Sequence, residues 1–86
     1  MNDEQIEYYL LTPMDNLPFV PDYFKILYAV IKIDDLNYYE IVRSVVFHNN
    51  GKVTHNCDKG KKTHLVSGGL WNIKKISKKE FFIYCI

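Results

Sequence analysis

The chain has 86 residues, 48% of them hydrophobic and 24% charged, with a formal net charge of +1. Four glycines and three prolines are too few for a disordered or fibrous chain, so one small folded domain spanning residues 1–86 is expected. The acidic start "MNDEQIEYY" lacks the apolar stretch of a signal peptide. The longest apolar run, "ILYAVI", is far short of the roughly 20 residues that cross a bilayer, which points to a cytoplasmic protein without a membrane segment.

"MNDEQIEYYLLTP" reads as a short N-terminal helix. Asn2 can cap it, Gln5 follows at capping-box spacing, and Asp3 and Glu4 sit in the first turn, where the dipole favours acids. Ile6, Tyr9 and Leu10 then share a helical face, although Ile6, Tyr8 and Leu10 also alternate as in a strand. "PMDNLPFVPD" holds all three prolines and is a connecting loop. "YFKILYAVIKI" (Tyr23 to Ile33) is aromatic and β-branched on both faces, the composition of a buried central strand. "DDLN" is a turn, and "YYEIVRSVVFH" (Tyr38 to His48) is the next strand.

In "NNGK", Asn50-Gly51 is the preferred pair for a type I′ turn, which would return "KVTHNC" antiparallel. "DKGKKTHLVSGG" is a basic connection in which "THLVS" can form an edge strand, and "LWNIKKI" is a further strand. At the C-terminus, Ser77 and Glu80 have capping-box spacing and Ile76 and Phe81 have staple spacing, so a short helix competes there with the strand propensity of "FFIYCI". The expected fold is a small α+β domain: an antiparallel meander of three to five strands with a short N-terminal helix and a candidate C-terminal one.

Charge is divided along the chain. Residues 1–40 hold eight acids against Lys25 and Lys32, and residues 41–86 hold nine bases against Asp58 and Glu80, giving −6 and +7. The split suits an electrostatic partner, or neutralisation of one half by the other across neighbouring strands. Ile, Lys, Asn and Tyr number 9, 10, 7 and 7, a bias that a low-GC source produces without any selection for binding.

The histidines and Cys57 invite a metal reading. With a two-residue turn at Asn50-Gly51, His48, His55 and Cys57 would share a strand face, and His64 could return from the loop. The spacing matches no zinc pattern and has no Cys-x₂-Cys anchor, so no metal or other cofactor is expected. Only two cysteines, Cys57 and Cys85, make no disulfide framework. "GKKT" at Gly60 lacks both the earlier glycine and the hydroxyl residue that a phosphate loop needs. Cys57 near His55 lacks an orienting third group, and no G-x-S-x-G occurs, so an enzyme is not expected.

Two binding readings remain. Asp34, Asp35, Tyr38, Tyr39 and Glu40 place carboxylates beside aromatic rings and suit docking on another protein, for instance one with a basic nucleic-acid groove. A phage or mobile-element inhibitor of a host nucleic-acid-handling or defence enzyme, anti-CRISPR-like by analogy, would fit such a chain. The alternative is direct nucleic-acid binding through Lys59, Lys61, Lys62, Trp71 and Lys74, lysines near an aromatic platform.

Overall fold

The computed structural model describes residues 5–57, 60–65 and 71–85. Among these, six strands form one antiparallel sheet, and a single short helix closes the chain. The strands are β1 (Ile6–Pro13), β2 (Tyr23–Lys32), β3 (Tyr38–His48), β4 (Val53–Asn56), β5 (Lys62–His64) and β6 (Trp71–Ile76), followed by α1 (Lys78–Tyr84). Their order is β4-β3-β2-β1-β6, and β5 lies on the β4 side of β3, alongside its other end. The domain is therefore mostly sheet.

The helix expected at the N-terminus is a strand, and its neighbours on both sides explain why. β1 lies between β2 and β6, with Tyr8 opposite both Ala29 and Ile76, and Leu10 opposite Leu27 and Lys74. Partners on both sides give its peptide groups their hydrogen bonds, so the two-residue alternation of Ile6, Tyr8 and Leu10 prevails over helical spacing. The proposed Asn2 cap lies outside the described residues.

Both sheet faces are apolar. One, here the helix face, buries Tyr8, Leu27, Ala29, Val45 and Ile76 against Phe81 of α1. On the far face Leu11, Val30, Tyr39 and Leu65 are buried, with Tyr9, Tyr28 and Trp71 packed around them. Two register shifts distribute the side chains between the faces. Ala29 pairs with Arg43 and Val30 with Ile41, so Val42 is an extra residue in β3. Across this bulge the parity inverts, which sends Tyr39 and Ile41 to the far face and Val45 and Phe47 to the helix face. In β2, Phe24 is likewise extra between Tyr23 (opposite His48) and Lys25 (opposite Phe47).

The β3–β4 hairpin lies where Asn-Gly placed it, but its turn is not type I′. The His48 N–H donates to Lys52 O at 2.8 Å and the Gly51 N–H to His48 O at 3.0 Å, enclosing a three-residue loop. Only Gly51 in it has a positive φ, at 89°, as in a type I turn followed by a glycine bulge. The added loop residue has a tertiary purpose. The Asn49 amide N–H donates to Asp22 O at 2.9 Å, and its side-chain Nδ2 donates to Pro21 O at 2.7 Å. Gly51→Val should cost about 2 kcal/mol, because a β-branched residue is strained at this φ. An added Cβ would meet nothing within 4 Å, so the cost is backbone strain rather than a clash. Urea denaturation checks this: the midpoint falls for Gly51→Val and falls less for Gly51→Asn, since Asn tolerates the left-handed region.

At the C-terminus the capping signals prevail over strand propensity. Ser77 Oγ accepts from the Glu80 N–H at 3.1 Å, and Ile76 and Phe81 are buried in the same cluster, as the staple spacing requires. No helix among the described residues is long and apolar enough to cross a membrane.

Candidate docking surface

The β2–β3 connection is an exposed turn held by its own hydrogen bonds. The Ile33 N–H donates to Tyr38 O at 2.9 Å and closes the loop, and the Leu36 N–H donates to Asp34 Oδ1 at 2.8 Å inside it. Asn37 takes the left-handed conformation at φ 58°, which Asn accepts more readily than most residues, and its carbonyl accepts from the Leu65 N–H at 3.0 Å. These bonds fix a tip that turns Leu36 into solvent at 75% exposure with Ile33 at 46%. Asp35 is fully exposed and meets Lys32 only at 3.8 Å, so its charge is directed outward.

The five residues expected to bind a protein therefore separate. Asp34 and Asp35 are on the tip, Asp34 bound to the tip's own backbone. Tyr38 is half-buried at its base, its ring 4.5 Å from that of His64 on β5. Glu40 follows on β3, opposite Lys62 and Ile31. Tyr39 points the other way, only 4% exposed in the far-face core. Its ring meets Tyr9 edge-on at 5.7 Å, and the two hydroxyls are 3.3 Å apart. Sequence pattern alone gives Ile33 and Leu36 no prominence. The available signal was a leucine inside a turn otherwise made of Asp and Asn.

Beside the tip lies an open cleft of about 520 Å³, lined by Gln5, Glu7, Ile31, Lys32 and Lys75. Glu7 receives the Tyr9 hydroxyl at 2.9 Å and the Lys75 ammonium at 3.1 Å. That ion pair joins the acidic half of the chain to the basic half across neighbouring strands. Some of the charge asymmetry is thus neutralised within the fold.

Burial, then the hydrogen bonds to Tyr39 and Glu7, push the Tyr9 hydroxyl far above the ordinary phenol range. Burial also raises Tyr23, and it raises Tyr28 against the opposing pull of the Lys61 charge. A folded-state pKa above the unfolded one gives stability that is fully present below about pH 10 and is lost as pH rises further. Stability should therefore fall with a steepening slope above about pH 10, and Tyr9→Phe should make that slope shallower. Urea midpoints measured from pH 8 to 11 provide the check.

The described residues of the alternative surface lie on separate strands. Lys61 and Lys62 accompany β5, whereas Trp71 and Lys74 belong to β6 at the opposite side of the sheet, four strand spacings of about 4.8 Å away. Trp71 packs against Tyr23 at 5.5 Å on the far face, and Lys74, opposite Leu10, is on the helix face. Lys59 lies outside the described residues.

The one-residue difference in the hairpin also separates the histidines. The register pairs Val45 with His55 and Val46 with Thr54. His48 therefore joins Thr54 on the far face, with Nε2 2.9 Å from Thr54 Oγ1, while His55 is on the helix face beside Arg43 at 3.4 Å. Among the described residues no group of three or more His, Cys, Asp or Glu side chains converges as metal ligands do. Cys57 and Cys85 are both free thiols. In comparisons with known proteins, no family model matches the chain, and no curated protein or solved structure shows significant similarity to it.

Proposed function

We propose that this is a non-enzymatic binding protein that docks on another protein through the β2–β3 tip. The observation that carries the reading is an apolar apex, Leu36 flanked by Ile33, exposed in a turn that its own hydrogen bonds already hold. A contact presented in its bound shape loses little conformational entropy on association, so more of its burial appears as affinity. Covering Leu36 would contribute about 2 kcal/mol, equivalent to roughly thirtyfold in Kd. Asp35 adds an outward carboxylate beside that apex. The complementary surface is an apolar pocket rimmed by Lys or Arg, a description that includes the basic groove of a nucleic-acid-handling enzyme.

The test is to immobilise the chain and two variants, Leu36→Ser and Asp35→Lys, and expose each to nuclease-treated extract of cells in which the chain is native. A protein retained by the parent and lost by both variants supports tip docking. Equal retention by all three removes the tip from the interface. In a parallel arm with untreated extract, material that nuclease removes and that a Lys62→Ala/Lys74→Ala variant fails to retain supports nucleic-acid binding instead.

A further inference from the structure

Lys25 is surrounded by three aromatic rings from three parts of the chain. Its ammonium lies 4.4 Å from the ring centre of Phe47, 4.4 Å from that of Tyr84 and 5.4 Å from that of Phe24. The sheet register brings the rings together: Phe47 is directly opposite Lys25, and the bulge at Phe24 supplies a second ring beside it. The third ring belongs to the last residue of α1. A seven-residue helix is marginal by itself, so its docking depends on tertiary contacts. Its last turn has no basic side chain of its own, and the Lys25 ammonium, held against Tyr84, brings positive charge to the end where the dipole favours it.

We propose that Phe24, Phe47 and Tyr84 form an organic-ammonium site, filled in cis by Lys25, whose occupancy decides whether the last turn of α1 stays docked. The site has the chemistry of an aromatic cage, which takes alkylammonium groups by attraction to the ring faces. It is accessible from outside, because Phe24 is 50% exposed. An external alkylammonium can therefore substitute for Lys25 when that side chain is absent or displaced.

Cys85 provides the readout. It is partly buried, packs against the helix-face core, and its N–H donates to Phe81 O and Phe82 O at 3.2 Å, so its thiol is exposed when the last turn releases. In a Cys57→Ser background, Lys25→Ala should make Cys85 react with a soluble thiol reagent about tenfold faster, between the losses expected for exposed and for desolvated cation–π contacts. Lys25→Arg should stay near the parent rate. Tetramethylammonium should slow the Lys25→Ala protein towards the parent rate, and tert-butanol, its neutral analogue in size, should not. If Lys25→Ala fails to fold, Lys25→Gln, which keeps most of the side-chain volume without the charge, takes its place in the same comparison. Unchanged reactivity on charge removal overturns the proposal, as does equal rescue by tert-butanol.

Discussion

Phe81→Ala should lower stability by about 3–5 kcal/mol, the range for removing an aromatic side chain from a core. Phe81 is 1% exposed and is the only buried residue of α1. Its ring lies 4.9 Å from Tyr8 and in one cluster with Leu27 and Val45, both fully buried. Without it the helix has no anchor in the middle, and the apolar helix face becomes accessible to water. A domain of this size has a total stability of roughly 4–13 kcal/mol. The substitution therefore removes a large fraction of it and should shift the thermal midpoint by on the order of 20 °C. A loss below about 1 kcal/mol in urea denaturation would mean that α1 does not contribute to the core.

Tyr39→Ala should be nearly as damaging, at about 3–4 kcal/mol, because Tyr39 is buried in the core on the far face. Tyr39→Phe keeps the ring and its edge-on contact with Tyr9 while losing the 3.3 Å hydroxyl pair, a loss of about 1 kcal/mol. The pair of variants separates two explanations of any binding defect. If Tyr39 acts through the fold, Tyr39→Phe retains partner binding, and Tyr39→Ala loses it only in proportion to the unfolded fraction. Equilibrium unfolding and binding measured on the same samples decide this. A well-folded Tyr39→Phe protein that fails to bind would show that the hydroxyl contacts the partner.

The two long strands were legible because they carry their own signal. The expected Tyr38 to His48 segment is β3 without change, and Tyr23 to Ile33 exceeds β2 by one residue. Apolar residues on both faces of β2 correctly implied a central strand, and Leu27 and Val30, at opposite parities, are both fully buried. β1 is ambiguous in sequence because its apolar residues satisfy two periods. The deciding partner, β6, lies some sixty residues away in sequence, beyond the reach of local pattern.

The turn at Gly51 was found, but its length was set by Asn49 reaching back to Pro21 and Asp22, a tertiary contact with no local signature. That single residue separated His48 from His55. The candidate site shows the same limit. The exposure of Asp34 and Asp35 followed from turn composition, but which tyrosine of Tyr38-Tyr39 turned inward depended on the bulge at Val42. A bulge inside an unbroken apolar segment leaves no mark in the alternation.

The most direct test of tip docking places a photo-crosslinking side chain at Leu36 and, separately, at Lys62 and at Lys74, in cells where the chain is native. Leu36 lies on the exposed apex, Lys62 on the neighbouring β5 and Lys74 on the opposite side of the sheet. Docking through the tip predicts a discrete, nuclease-resistant protein adduct from Leu36 that weakens when Asp35→Lys is added, with little or none from Lys74. A Leu36 position that gives no adduct, while Lys62 or Lys74 gives nuclease-sensitive ones, would contradict it.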